Sequence, residues 1–290
     1  MLEVSEGRIR LPALTTAHSH AFQRGMRGLA QRPGPGDQDD FWSWREAMYG
    51  VAEALDPERM YQIARIAYEE LRRAGVHTVG EFLYVHHQAD GTPYDDRLIM
   101  SEACIRAALD EDMRICLIRV VYGRAGQDRP PEGVQRRFAD ASVERALRDV
   151  EELWTRYADH ERVRVGIAPH SVRAVAPEWL EPIASFAARR HLPLHMHVAE
   201  QPKEIESCLA ETGKRPVELL AEHGVLSPSF VAIHATHLTA AEAELLGKAG
   251  ASVCLCPTTE RDLGDGLPDV AALYHGGAKL CTGVDSHVLT

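Results

Sequence analysis

Hydrophobic and polar positions fall into two recurring kinds of segment along this 290-residue chain. Short apolar runs bounded by charged or turn-forming residues predict buried strands. The longer segments between them carry apolar residues three or four positions apart, which predicts helices. The clearest helix begins at the N-cap residue Asp56, has Pro57 in its first turn and ends at Gly75. Met60 and Leu71 belong to its apolar stripe.

Eight apolar runs predict strands, and helical patterns fill the seven gaps between them. The strands are expected at residues 10–18, 77–85, 114–122, 162–170, 192–200, 230–237, 251–257 and 278–286. Repeated strand–helix units predict a parallel sheet, and eight of them in this length indicate an α/β protein with a (β/α)₈ TIM-type barrel. A doubly wound open sheet is the alternative, but the Gly-rich turn that usually follows its first strand is not found here.

Two parts of the pattern depart from a regular barrel. Residues 21–55 form a long connection after the first strand, including the Pro- and Gly-rich stretch 31–40, and a connection of that length predicts a functional lid. The sequence also stops at Thr290, directly after the eighth strand, where a closed barrel would have one more helix. We therefore expect a single barrel domain over residues 1–290 that lacks its last helix and leaves apolar surface uncovered.

Charge and composition narrow the class of function. The chain has 43 acidic and 32 basic residues, a net charge of −11, which argues against a nucleic-acid partner. It has no apolar run of the length that a membrane span requires and no apolar signal core at its start. The six cysteines are scattered, so we interpret them as reduced thiols in a cytoplasmic protein.

Histidines and acids gather at the ends of the predicted strands. The residues concerned are His18 and His20 on the first strand, His170 on the fourth, His195, His197 and Glu200 on and just after the fifth, His234 on the sixth and Asp285 on the eighth. Because the carboxyl ends of barrel strands share one rim, and active sites lie there, we expect these side chains to converge.

The spacing of these residues predicts one metal site. His18 and His20 lie two apart and therefore point to the same side of a strand. With His197 and Asp285 they give three nitrogens and one oxygen, a set that suits one Zn²⁺ or Fe²⁺ ion with a position left for water. His195 shares a face with His197, but His197 is preferred because it lies nearer the strand end and three residues before Glu200.

The other polar groups suit hydrolysis of an anionic substrate. A bound metal lowers the pKa of water towards ~7, Glu200 can carry a proton to the leaving group, and His234 can stabilise charge at the reacting carbon. Asp285 can also accept a hydrogen bond from the water. Arg45 and Arg173, near the expected rim, are candidates to pair with carboxylates.

Several longer motifs resemble a known family. "HSHAFQR", "FWSWRE", "HSVRAV", "HMHVAEQPKEIESC" and "CPTTERDLGDG" together resemble the formimidoylglutamate deiminases, a histidine-degradation family of the amidohydrolase superfamily. The resemblance implies a metal-bearing barrel in which a metal-bound hydroxide attacks the formimino carbon, converting N-formimino-L-glutamate to N-formyl-L-glutamate and ammonia. It implies zinc on His18, His20, His197 and Asp285, catalytic roles for Glu200, His234 and Asp285, and substrate contacts by Gln23, Arg45, Tyr84, His170 and Arg173.

The resemblance also shows which parts of the family's structure to look for and which other functions to consider. Family members are longer, with N- and C-terminal segments in a small β-sandwich that we expect this chain to lack. A deaminase acting on a ring amidine such as an aminopurine would keep the metal residues but not need two arginines. An inactive fragment or a binding module is a further alternative. A dicarboxylate small molecule is the expected partner, and a homodimer is left open.

Overall fold

The computed structural model describes residues 3–5, 8–10, 12–29 and 41–288. Its first element is an antiparallel pair of short strands, β1 (Glu3–Ser5) and β2 (Arg8–Arg10). Eight parallel strands follow, each paired with the next along the chain. They are β3 (Leu14–Ser19), β4 (Val76–Leu83), β5 (Arg114–Val121), β6 (Val163–Pro169), β7 (Leu194–Val198), β8 (Phe230–His234), β9 (Ser252–Leu255) and β10 (Lys279–Thr282).

The sheet closes on itself just beyond the end of β10. The backbone N–H of His20 donates to Asp285 O at 2.9 Å, and the N–H groups of Val284 and Asp285 donate to His18 O at 3.0 and 3.1 Å. Ser19 and Asp285 thereby form a parallel bridge between the first and last strands of the barrel. The predicted (β/α)₈ barrel is confirmed, and the open sheet is excluded because its edge strands would not meet.

Helices occupy every gap between the barrel strands, as predicted. They are α1 (Phe41–Ala54), α2 (Pro57–Arg73), α3 (Ile99–Asp110), α4 (Val143–Arg156), α5 (Pro177–Arg190), α6 (Pro202–Thr212), α7 (Pro216–Glu222), α8 (Ala240–Lys248), α9 (Pro257–Asp262) and α10 (Val270–Gly276), with 3₁₀ turns at Ala21–Met26 and Gly133–Arg137. Through the last described residue, 288, no helix follows β10.

The sequence placed the ends of α2 correctly because both are fixed locally. The Asp56 side chain accepts a hydrogen bond from the Arg59 N–H at 2.8 Å, and Pro57 opens the helix. Gly75 takes φ +84° just past the end, in the left-handed region that glycine adopts without strain.

The connection after β3 contains more regular structure than expected. Residues 41–54 form helix α1, whose inner side buries Met48 and Ala52 in the core. Met48 and Ala52 lie four residues apart, a spacing typical of one face of a helix, so this part of the connection packs onto the barrel. Residues 31–40 and the side chains of residues 41–43 lie outside the described part of the chain.

Two leucines on the strands that close the barrel are exposed to solvent. Leu280 on β10 is 39% exposed and Leu14 on β3 is 52% exposed. Of the helices that the structure describes, none combines the length and the apolar character needed to cross a bilayer.

Candidate metal centre and active site

Three strand ends bring four candidate ligands together. His18 Nε2 lies 3.2 Å from His197 Nε2 and 3.2 Å from Asp285 Oδ1. His20 Nε2 lies 3.4 Å from the same Asp285 oxygen. All four side chains are buried. The ligand atoms form two groups that share His18: one contains His18, His20 and Asp285, and the other contains His18, His197 and His234. The four residues named from the sequence therefore lie next to one another in the fold, with His234 beside them.

Backbone carbonyls orient two of these imidazoles. The Nδ1–H of His20 donates to Phe82 O at 2.9 Å, and the Nδ1–H of His197 donates to His170 O at 3.2 Å. With Nδ1 occupied as a donor, the Nε2 lone pair of each ring is left for the centre of the group. Hydrogen bonds of this kind hold metal-binding histidines in the correct tautomer.

The protonation states also fit a divalent cation. Burial lowers the pKa of His18, lowers that of His20 to about 3 and lowers that of His197 well below its ordinary value. These rings are therefore neutral and able to donate a lone pair. Burial alone would raise the pKa of Asp285, but the hydrogen bond from His18 and its interactions with the imidazoles of His18, His234 and His20 outweigh burial and lower that pKa. Three neutral imidazoles and one carboxylate suit zinc or ferrous iron.

Close packing below the site depends on Gly283. A Cβ atom at this position would lie 2.8 Å from His18 Cβ and 2.9 Å from Cys256 Sγ. Two residues later the chain turns at Asp285 with φ +59°, and β8 likewise ends at His234 with φ +66°. Left-handed residues other than glycine cost about 1–3 kcal/mol and are typical of functional sites, where they redirect a side chain.

His195 lies apart from the four ligands. It is buried two residues before His197 on the same strand. His197 belongs to a group of side chains close enough to share a metal ion, and His195 belongs to none among the described residues. Burial lowers the pKa of His195 to about 3. It is a neutral residue of the barrel interior.

His234 connects the ligand group to two further acids. Its Nε2 lies 3.5 Å from Glu200 Oε1 and 3.9 Å from Asp285 Oδ2. On the other side of the ring, Nδ1 lies 3.3 Å from Glu260 Oε1, which also accepts the backbone N–H of Cys256 at 2.8 Å. Burial would lower the pKa of His234, but the charges of Glu200 and Asp285 and the contact with Glu260 together raise it to about 10. The ring is therefore cationic at neutral pH.

An open cavity lies over these groups, with about 770 Å³ of empty space if the adjoining solvent is included. All five predicted substrate residues line it: Gln23, Arg45, Tyr84, His170 and Arg173. The amide of Gln23 donates to Tyr84 Oη at 2.9 Å, and Gln23 Oε1 has no partner among the described residues. The rings of Tyr84 and His170 lie 5.5 Å apart.

The predicted arginines differ in their surroundings. The guanidinium of Arg45 lies 5.4 Å above the ring of Tyr49. Arg173 Nε lies 3.4 Å from Oε2 of the buried Glu204, which holds the arginine beside the cavity. Arg124 also lines the cavity, but its guanidinium pairs with both oxygens of Glu211. Arg173 is thus paired with an acid as Arg124 is, and all three arginines line the cavity.

Four residues of the site were missed from the sequence: Tyr49, Tyr122, Gln135 and Glu260. Tyr122 directly follows β5, so the strand-end rule would have found it had tyrosine been counted with histidine and the acids. Tyr49 lies four residues after Arg45 on α1, a signal visible only once that segment is recognised as a helix. Gln135 lies in a short 3₁₀ turn that carries no local signal. Glu260 lies in a short helix within the motif "CPTTERDLGDG", which indicates the family but gives this residue no role.

Comparison with known sequences gives one family and several curated relatives. The profile of the amidohydrolase family matches residues 9–289. A formimidoylglutamate deiminase of Pseudomonas aeruginosa is 39% identical over 96% of this chain and 61% of its own length. An 8-oxoguanine deaminase of the same species is 30% identical over 95% of this chain and 59% of its own length. The chain thus spans about three fifths of the curated relatives it matches.

Solved structures share the same fold. An amidohydrolase from Brucella melitensis is 38% identical and superposes with a TM-score of 0.90, covering 99% of this chain and 68% of its own. A mutant atrazine chlorohydrolase from Arthrobacter aurescens, solved with zinc and atraton, gives a TM-score of 0.83 at 22% identity, over 96% of this chain and 60% of its own. At that identity the likeness concerns the fold alone.

Proposed function

The chain belongs to the amidohydrolase family, and from that membership and the geometry of the cavity we propose that it is a metal-dependent deiminase of N-formimino-L-glutamate. The products would be N-formyl-L-glutamate and ammonia, a step of histidine degradation. The observation that carries the proposal is that a single cavity joins the candidate metal ligands to Arg45 and Arg173. An amidine carbon and two carboxylates, all in one small molecule, match that combination.

His18, His20, His197 and Asp285 are the residues that would hold the ion, with zinc proposed and ferrous iron as the alternative. When bound there, a divalent ion makes a water acidic enough to lose a proton near neutral pH. The backbone bonds of His20 and His197 keep their Nε2 atoms aimed inward without any rearrangement.

Glu200 and His234 are the proposed proton-handling groups. Glu200 takes one proton from the attacking water and delivers it to the terminal nitrogen of the amidine. As the carbon–oxygen bond forms, that nitrogen becomes an NH2 group. The remaining hydroxyl proton, accepted by Asp285, then passes to the same nitrogen while the carbon–nitrogen bond breaks, so the carbon becomes a formyl carbonyl and ammonia leaves. His234, whose Nε2 lies 3.5 Å from Glu200 Oε1, is placed to stabilise charge that develops at the reacting centre.

Arg45 and Arg173 are the proposed partners of the substrate carboxylates. The net charge of −11 repels a dianion at long range, so cations must be concentrated locally at the cavity. A guanidinium pairs with a carboxylate in a bidentate way, which fixes orientation as well as affinity.

The test is ammonia release from N-formimino-L-glutamate by the zinc-loaded protein, run beside Glu200→Gln. The wild-type chain is expected to turn over, and E200Q is expected to lose about 10²- to 10⁴-fold in kcat while retaining its zinc. Ammonia release from guanine or 8-oxoguanine, with none from formiminoglutamate, would show a ring deaminase instead. Absence of bound metal and of a cooperative thermal melt would favour an inactive fragment.

A further inference from the structure

We propose that Tyr49, Tyr122 and Gln135 form a carboxylate-binding wall of the cavity, and that this wall selects acidic amidines over neutral ones. The proposal rests on the proposed function and adds to it the residues that set substrate class. All three side chains line the cavity. Tyr49 and Gln135 also line the wider groove that continues outward from it, so the wall lies towards the mouth.

The amide of Gln135 bridges the two tyrosines. Its Nε2 donates to Tyr49 Oη at 3.1 Å and to Tyr122 Oη at 3.2 Å. The orientation of this amide follows from its other end, where Oε1 accepts the backbone N–H of Glu132 at 3.3 Å. An N–H group requires an acceptor, so the oxygen must face Glu132 and the nitrogen must face the hydroxyls.

This arrangement fixes what the two hydroxyls can offer a ligand. Each phenol oxygen already accepts a hydrogen from Gln135, so its own proton must point elsewhere. Neither hydroxyl donates to an acceptor among the described residues. Burial raises the pKa of Tyr122 to about 12, so this hydroxyl keeps its proton at neutral pH. Two donors therefore face the cavity.

The wall lies at a distance from the ligand group that a small acid could bridge. The ring of Tyr122 packs against His170 at 5.2 Å, and His170 packs against His197 at 5.0 Å. On the other side Arg45 lies over Tyr49. A carboxylate offers only acceptors, so two hydroxyl donors beside a guanidinium match it. A neutral group in the same place would leave those donors unpaired, which is how buried polar sites reject the wrong ligand.

Binding of glutarate tests the wall independently of catalysis, with glutaramide as the neutral comparison. Titration calorimetry on the zinc-loaded chain should show tighter binding of glutarate. Tyr49→Phe and Tyr122→Phe should each weaken glutarate about 10-fold and leave glutaramide unchanged. Gln135→Glu should weaken glutarate more strongly, because its carboxylate would accept both hydroxyl protons. Tyr61→Phe is the matched control, since that hydroxyl bonds Asp110 at the surface.

Kinetics give the second readout. For N-formimino-L-glutamate the two Phe variants should raise KM about 10-fold with little change in kcat, whereas turnover of formamidine, which has no carboxylate, should not change. If the two Phe variants bind glutarate as tightly as the wild type and melt at the same temperature, the proposed carboxylate-binding wall is wrong. If glutarate binding depends on the tyrosines but formiminoglutamate is not hydrolysed, the wall stands and the proposed function fails.

Discussion

Contacts outside the candidate metal centre determine the orientation and tautomer of the individual side chains within it. His20 and His197 donate Nδ1–H to backbone carbonyls, and Glu260 accepts from both the Cys256 backbone and His234. Phe82 lies in β4, whereas His170 and Cys256 are the residues that directly follow β6 and β9. The order of the site therefore originates in these three strands and their ends as much as in the strands that carry the ligands.

The choice between the two histidines of β7 gives the first prediction. His197→Ala should lower zinc affinity at least ~100-fold, beyond the 10–100-fold that follows loss of a hydrogen-bond partner to a ligand. His195→Asn should retain zinc, since His195 lies outside the ligand group. Zinc retained after dialysis against a chelator, measured by mass spectrometry, distinguishes them. Equal retention by both variants would contradict the assignment.

Glu260 gives a second prediction at this scale. Glu260→Gln removes one of the charges that raise the pKa of His234, so that pKa should fall from about 10. NMR titration of the His234 ring in the chelator-treated protein measures the shift directly, and kcat of the zinc-loaded enzyme should drop about 10- to 100-fold. Glu244→Gln on the surface of α8, where the acid pairs with Lys248, is the control. An unchanged titration of His234 would contradict this role.

Helix α1 supplies Arg45 and Tyr49 to the cavity, and its position depends on a residue from another element. Arg137, fully buried in the 3₁₀ turn after β5, donates to the carbonyls of Ala52, Glu53 and Leu55 at the end of α1. The same guanidinium donates to His87 O at 3.0 Å. One side chain thus satisfies carbonyls that a helix end otherwise leaves unpaired and ties α1 to the loop after β4.

Arg137→Met should therefore affect stability and substrate binding together. Several buried carbonyls would lose their donor, at a cost of about 2–4 kcal/mol in the free energy of unfolding. The KM for formiminoglutamate should rise because Arg45 and Tyr49 lose their fixed position. Denaturant unfolding and steady-state kinetics measure the two effects. Arg136→Met, at the exposed neighbouring position, should change neither the free energy of unfolding nor KM. If Arg136→Met lowered stability and raised KM as much as Arg137→Met, this role of Arg137 would be wrong.

At the scale of the whole molecule, a buried network of hydrogen bonds stabilises the junction between the first and last strands of the barrel. Ser19 donates to Glu81 Oε2 at 2.6 Å, and His287 Nε2 lies 2.8 Å from the same hydroxyl. Glu81 also accepts the Ala21 N–H at 2.8 Å. This network links β4, the end of β3 and the segment after β10, so closure of the barrel involves a carboxyl group in the interior.

That carboxyl group should make stability depend on pH. Burial, opposed by the bonds from Ser19 and Ala21, raises the pKa of Glu81 from 4.5 to about 7 in the folded protein. Between these values the folded state binds more protons than the unfolded state, so the free energy of unfolding falls as pH rises, by up to about 3 kcal/mol. Glu81→Gln should remove this loss in chelator-treated protein. Urea unfolding from pH 5 to 8 tests it, and parallel wild-type and variant curves would refute it.

The sequence by itself determined the strand–helix order and the residues at the strand ends. Hydrophobic period and capping are local properties: Asp56 and Gly75 act within one turn of α2. The convergence of His18, His20, His197 and Asp285 followed from one topological rule, since parallel barrel strands all end at the same rim.

Tertiary structure decided what no local pattern encodes. Gln135 meets Tyr49 and Tyr122 only because three separate elements pack over the barrel mouth. Arg137 ends up inside because α1 presents carbonyls to it, whereas an isolated arginine in a turn would be expected in solvent. Hydrogen-bond partners and burial depend on residues far apart in the chain, so the polarity of the cavity wall and the protonation of Glu81 and His234 exist only in the folded protein.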